Sequence, residues 1–527
     1  MSIAPALGNA AWLASSLPEY RKFKAATGDV EAAQRALLMD TLRRNASTEF
    51  GQEHGFARLS SWDDYRSAVP ARSYDDFVPW IDAIRAGKKQ VLTADTVTLL
   101  EPTSGSTGAE KLIPYTASLQ RQIRRAVAVW TTRLFLDDPT LLGGPSYWSL
   151  TPQMPAENRP DSVVPIGFDD DGAYLGAVAE RLLGLTMVTR PGLKRLDDMD
   201  EFWSWSLLLL LSHRDLRLVS VWHPSFLAIL LDRMAVHWDA LLDALARGAQ
   251  HPRAGLSVKP AARRARELAG IGPGDPVRIW PRLRLISCWC DAHAALSVVE
   301  IRRRIPGVEI QGKGLVATEG IVTIPVGAHY PLALRSHFFE FVDEQDQVFP
   351  AWQLARGRIY TVLLTTGGGL YRYRLRDRVE VTDFLGDTPC LRFVGKADAV
   401  SDRCGEKLSA AHVGDILQRL LQRHSIEPGF AMLAPDATGE VARYELYCDA
   451  VLPEAFAAAL DESLRENPHY ELCRRLGQLG PIAVVTVPDD AAGRFLERMG
   501  AEGGRLGDVK PTPLSDLDGW RGIFRAV

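Results

Sequence analysis

Thr103-Ser104-Gly105-Ser106-Thr107-Gly108-Ala109-Glu110-Lys111 follows a strand-like run, Val97 to Leu100. Its two glycines let backbone N–H groups converge on an anion, its hydroxyls add donors, and Lys111 adds a full positive charge. Such a loop suits phosphate. The spacing is not that of the Walker loop, G-x-x-x-x-G-K-[ST], so on this stretch alone a surface turn remains the alternative.

Outward from the loop, strand-like runs alternate with helical ones between about 95 and 400: Tyr147 to Leu150, Leu216 to Val221, Leu283 to Cys288 and Ile359 to Leu364. That alternation predicts an α/β domain. Before it, Asp29 to Arg44 carries apolar residues at helical spacing, and Ser60-Ser61-Trp62-Asp63 reads as a turn. A turn-rich, charged stretch from Gly395 to Gly405 precedes a helical start at Ser409, then Tyr444 to Cys448, a helix near Glu454 to Asn467, and Ile482 to Val487. We therefore expect a large N-terminal α/β domain over 1–397, with β-sheets flanked by helices, and a small α+β domain over 398–527.

The chain has 527 residues, 46% of them hydrophobic and 24% charged, as a soluble globular protein would. Its 61 basic and 65 acidic residues give a net charge of -4, so no electrostatic footprint for nucleic acid exists. Arg302-Arg303-Arg304 and Arg263-Arg264-Ala265-Arg266 read as solvated helix faces. Met1 to Ser16 lacks the basic start of a secretory signal, and Leu207 to Leu211 is too short to cross a bilayer, so no membrane partner is expected. Six cysteines without a CxxC pair predict reduced thiols and a cytoplasmic protein. Cys288 and Cys290, flanking Trp289, are expected to be buried rather than to bind metal.

A second glycine cluster, Thr365-Thr366-Gly367-Gly368-Gly369-Leu370, runs into Tyr371-Arg372-Tyr373-Arg374-Leu375-Arg376-Asp377. Asp377 suits two ribose hydroxyls, as carboxylates do in other nucleotide sites. The alternative is an exposed hairpin with charged edges. Between the clusters, Leu315-Val316-Ala317-Thr318-Glu319-Gly320 offers Glu319 either to Mg²⁺ or to solvent.

Read together and in this order, these segments resemble the Gretchen Hagen 3 (auxin-responsive promoter) family of acyl-acid amido synthetases, a branch of the adenylate-forming enzymes. The phosphate loop continues into Leu112-Ile113-Pro114-Tyr115-Thr116, similar to that family's signature. Thr48-Glu49-Phe50-Gly51, Trp222-His223-Pro224-Ser225-Phe226, Phe338-Phe339-Glu340-Phe341, Gly395-Lys396-Ala397-Asp398, Gly405-Glu406-Lys407-Leu408, Asn467-Pro468-His469-Tyr470 and Lys510-Pro511-Thr512-Pro513 extend the likeness along nearly the whole chain.

The resemblance implies ATP and Mg²⁺, with Ser104, Gly105, Ser106, Thr107, Gly108 and Lys111 around the phosphates. It sets Thr318 and Glu319 near the α-phosphate and metal, Asp377 on the ribose, and Lys396 in the same ATP site. Lys407 and Lys510 match catalytic lysines of a C-terminal domain that rotates between half-reactions about a hinge near Asp398. Two positions depart from the family pattern. Arg376 stands where a glycine precedes the ribose-binding aspartate, and Leu315 where plant members carry an aromatic. If the Arg376 segment is extended, its side chain points away from that of Asp377.

The acyl pocket is expected to draw on Trp222, His223 and Tyr330. Trp222 and Tyr330 suggest a flat apolar wall, and His223 has a packed capping role as its alternative. The implied reaction adenylates a small carboxylic acid and passes the acyl group to an amine or amino acid. A thiol acceptor, coenzyme A or a carrier arm, and a regulatory protein without catalysis are the competing readings.

Overall fold

The computed structural model describes residues 3–103, 111–150, 162–167, 184–196, 198–291, 294–396, 400–401, 403–404, 406–436, 438, 441–475, 478–501 and 511–525. Ser104, Gly105, Ser106, Thr107, Gly108, Asp398 and Lys510 lie outside them.

Local chemistry sets the element starts. Asp29 caps the helix Val30–Arg44 by accepting from Ala32 N–H at 2.9 Å, and its residues Val30, Leu38 and Leu42 are buried. Val97–Thr103 pairs antiparallel with Lys111–Thr116, register Thr103 to Lys111. Thr116 then caps the helix Ala117–Asp137, accepting from Leu119 N–H at 3.1 Å.

A four-stranded parallel sheet follows, in the order Ser146–Trp148, Leu218–Ser220, Leu285–Cys288, Glu309–Gly312. The helices Met199–Ser212, Pro224–Val236 and Ala294–Arg304 lie between its strands in the chain, as the alternation predicts. Leu207 to Leu211 is buried within the first of them, and no helix among the described residues is long and apolar enough to cross a membrane. Arg264 departs from the solvated reading: it is buried and donates to the carbonyls of Leu211 and Ile279 at 3.1 and 2.6 Å.

The alternation does not extend through Ile359–Thr365. That strand belongs to a five-stranded antiparallel sheet, in the order Val348–Pro350, Phe338–Val342, Ile359–Thr365, Tyr373–Leu385, Thr388–Lys396. Its connections are turns and one 3₁₀ segment, too short for the crossover a parallel pair requires.

After residue 400, Ser409 caps the helix Ala410–Arg423, and Arg443–Cys448 pairs antiparallel with Ala431–Asp436 and parallel with Ala483–Thr486. Leu417, Leu446 and Leu460 share one core there, while Phe430, Phe495 and Trp520 form another against which Ile229 of the large domain packs. Arg233 Nη2 and Glu497 Oε1, 3.8 Å apart, cross the same contact.

Candidate active site

Thr318 and Glu319 occupy the tip of a tight hairpin between Val316–Ala317 and Gly320–Ile321. A Cβ on Gly320 would lie 2.6 Å from His337 Nε2, so only glycine lets the hairpin close on that ring. Ile321 N–H donates to His337 Nε2 at 3.2 Å, which leaves the ring hydrogen on Nδ1 to donate to Gln122 Oε1 at 3.0 Å. Gly367 N–H donates to the same Gln122 oxygen at 2.7 Å. Burial pushes the His337 pKa down to about 3, so a neutral imidazole ties the Glu319 hairpin to the second glycine cluster.

Glu319 is only 8% exposed, and Tyr373 donates its hydroxyl to Oε1 at 3.1 Å. Burial first, then the Glu319 charge, raise the Tyr373 phenol pKa, so that hydroxyl remains a donor at all working pH. Lys111 Nζ lies 5.8 Å from the centre of the Tyr74 ring, and Tyr74 accepts from Leu112 N–H at 2.6 Å. Glu319 and the strand that runs on to Asp377 thus meet through Tyr373, while Lys111 faces Tyr74.

The exposed-hairpin reading of the second glycine cluster fails. Residues 366–373 are buried throughout. Cβ atoms on Gly367, Gly368 and Gly369 would meet Ser118 Cβ at 2.7 Å, Pro114 O at 2.6 Å and Leu92 Cβ at 2.6 Å. The glycines serve packing against the strand Lys111–Thr116, the helix Ala117–Asp137 and Leu92. Arg372 is buried too, its Nε 2.9 Å from Glu340 Oε2, while Trp62 Nε1 donates to Glu340 Oε1 at 2.9 Å.

The extended backbone expected at Arg376 is absent. Leu363 pairs with Arg374 and Thr361 with Arg378, so a two-residue step on one strand faces a four-residue step on the other. This bulge holds Arg376 at φ 65°, a left-handed conformation that costs a non-glycine residue about 1–2 kcal/mol. A glycine at this place in the family pattern has that physical reason. Asp377, 5% exposed, stands in register with Lys396 on the neighbouring strand.

Of the residues expected at the acyl pocket, His223 caps the helix Pro224–Val236, with Nδ1 accepting from Ser225 N–H at 3.2 Å and facing Ser225 Oγ at 2.7 Å. The capping reading describes it. Trp222 packs against Trp289 with ring centres 5.5 Å apart and planes tilted by 39°, and Tyr330 Oη accepts from Gly312 N–H at 3.1 Å. Both lie beside Lys313, whose Nζ is 5.5 Å from the Trp222 ring. Sequence reasoning passed over Lys313; a lysine between Gly312 and Gly314, directly after a strand-like run, was the available signal.

Lys407 is exposed at φ 46°, and its carbonyl accepts from Asn467 Nδ2 at 3.1 Å. Glu406 beside it is buried, which alone would raise its pKa, but hydrogen bonds from Tyr444 and the backbone of Cys404 and Arg403 hold it below the usual range. Cys404, Glu406 and Cys473 place ligand-type atoms within 4.8 Å of one another, yet these bonds already engage both Glu406 oxygens. Cys288 is buried with its sulfur 3.9 Å from that of Cys290.

Residues 19–310 match the GH3 family N-terminal domain, 330–396 the GH3 family central domain and 412–517 the GH3 family C-terminal domain. The chain belongs to the GH3 family. A putative indole-3-acetic acid-amido synthetase GH3.10 of Oryza sativa subsp. japonica is 24% identical over 466 residues, covering 85% of this chain and 92% of that protein. An Arabidopsis thaliana indole-3-acetic acid-amido synthetase, GH3.10, is 26% identical over 270 residues, 45% of each chain. Among solved structures, AtGH3.15 acyl acid amido synthetase in complex with 2,4-DB superposes with a TM-score of 0.84 at 18% identity, covering 98% of this chain and 96% of that one. A 2-hydroxyisobutyryl-CoA ligase shares the fold more distantly, with a TM-score of 0.51 at 14% identity over 94% of this chain and 90% of that one.

Lys111, Trp222 and His223 lie in the GH3 N-terminal match, and Tyr330, Asp377 and Lys396 in the central one. Thr318, Glu319 and Lys313 fall between those two matches, and Lys407 falls between the central and C-terminal ones.

Proposed function

We propose that this GH3 protein is an ATP-dependent acyl-acid amido synthetase. The observation that carries the reading is its match, over 85% of the chain and 92% of the relative, to a protein named as an amido synthetase. A carboxylate oxygen attacks the α-phosphorus of ATP and pyrophosphate leaves. An amine, here an amino acid, then attacks the mixed anhydride, giving an amide and AMP.

Two anions must meet in the first step. Lys111 and the loop Ser104 to Gly108 are the groups assigned to hold the phosphates and offset that repulsion, with Thr318 at the α-phosphate. Asp377 holds the ribose, and Lys396 completes the ATP contacts. Tyr373 engages Oε1 of Glu319, so this one carboxylate fits a cation that keeps phosphate oxygens in its shell. Mg²⁺ held there would neutralise phosphate charge. Holding acid and nucleotide side by side supplies the remaining gain through proximity. Residues 398–527, which carry Lys407 and Lys510, turn as a body between the half-reactions, with Lys407 weighing more heavily on one of them, and the protein works in the cytoplasm without nucleic acid or membrane partners.

The test is carboxylate-dependent exchange of labelled pyrophosphate into ATP across aromatic and aliphatic acids, followed by amide formation with amino acids and no coenzyme A. Silence with every acid would favour the regulatory reading. Because a CoA ligase shares this fold, product formed only with a thiol would move the protein to that class.

A further inference from the structure

Lys313 closes the carboxyl end of the parallel sheet, where open α/β sheets bind ligands. It is 9% exposed, and its Nζ donates to Ser220 Oγ at 2.6 Å and Ser287 Oγ at 3.4 Å. The rings of Trp130, Trp148 and Trp222 surround it at 5.4, 5.7 and 5.5 Å. Among the described residues its neighbours are these hydroxyls and rings and the thiols of Cys288 and Cys290, and none of them is a carboxylate. Burial lowers its pKa to about 8, so near neutral pH it remains mostly charged. A buried cation that faces no carboxylate is costly, and the hydroxyls, ring faces and two thiols offset only part of that cost.

Trp148, Trp222 and Tyr330 are half-buried; the two indoles lie against the ammonium, and Tyr330 accepts from the N–H of neighbouring Gly312. Glu319 lies in a different neighbourhood, with Tyr373 as its donor, and shares none of these contacts. On the amido synthetase reading, the carboxyl under attack belongs at the nucleotide end, so a different group of the acid must meet Lys313.

We propose that Lys313 is a specificity-determining residue of the acyl pocket, which takes a planar acid bearing a second acceptor, a carboxylate or ring hydroxyl, remote from the reacting carboxyl. The indoles of Trp148 and Trp222 pack on the ring, and Lys313 with Ser220 receives the far acceptor.

Intrinsic tryptophan fluorescence of the full chain, titrated with 4-hydroxybenzoate, terephthalate and benzoate without ATP, tests this. Either of the first two should bind at least about tenfold more tightly than benzoate, as a charge-assisted hydrogen bond requires. Lys313→Met should bring that ratio to about one, and Ser220→Ala, which removes only a hydroxyl, should lower it part of the way. Equal binding of all three acids, binding of none, or a ratio that survives Lys313→Met would overturn the proposal. Pyrophosphate exchange is read separately. Selective binding without exchange for any acid would sink the amido synthetase reading and leave the role of Lys313 standing.

Discussion

Two glycine-rich stretches of this chain look alike as sequence, and only the second is explained by packing. Thr103 to Lys111 joins two antiparallel strands and ends on a lysine that faces Tyr74. Thr365 to Gly369 is buried, and each of its glycines abuts atoms that leave no room for a side chain. The glycines proposed to hold phosphate would serve approach by a ligand, whereas glycine here serves approach by Pro114, Ser118 and Leu92. The second cluster therefore supports the first: it braces the strand and helix that follow the loop.

Removing ligand contacts should leave stability alone, and removing packing should not. The largest effect is expected for Asp377→Ala, which should weaken ATP binding by roughly two to four orders of magnitude if both ribose hydrogen bonds are lost. Isothermal titration with ATP measures it, and unaltered affinity would take this segment out of the site. Lys111→Ala should lower pyrophosphate exchange by about 10²–10³-fold with little change in melting temperature. Gly368→Ala should do the reverse. Its Cβ would sit 2.6 Å from Pro114 O, so overpacking should cost about 1–3 kcal/mol in urea unfolding, and a neutral result would mean the turn is not as tightly held.

A comparable stability effect is tied to pH. In the folded chain burial lowers the Lys313 pKa from its ordinary 10.5 to about 8, against the opposing effect of Cys288 and Cys290, so below pH 8 both states hold the charge and only the folded state disfavours it. Stability from this group should rise between pH 8 and 10.5, by about 3 kcal/mol in all. Lys313→Met should remove that slope and stabilise the protein at pH 7, as urea titrations at several pH values would show. The smallest effect is Arg376→Gly, which should stabilise by about 1 kcal/mol by relieving the left-handed strain. A loss of ATP affinity in the same variant would show that the Arg376 side chain also contacts phosphate.

Much of the fold was legible because its signals are local. Asp29, His223 and Ser409 cap the helices that begin after them, and Val97, Leu285 and Arg443 open or lie close to the runs that read as strands. Motif order along the chain was enough for the family, as the three matched segments show. Yet several motifs that carried the resemblance prove to be packing: Thr48 caps the short helix Glu49–Glu53, Phe50 stacks on Tyr371 at 4.7 Å, and Glu340 pairs with buried Arg372.

By itself, then, the sequence determined which residues start helices, which runs form strands and which chemistry its motifs belong to, since each depends on neighbours within a few positions. Only the tertiary structure decided the antiparallel order of 338–396, the left-handed turn at Arg376 and the burial of the second glycine cluster. It alone gathered Trp130, Trp148, Trp222 and Ser220 around Lys313. Those residues come from separate strands, helices and loops, and a cation's environment is set by what surrounds it in space, which no local pattern encodes.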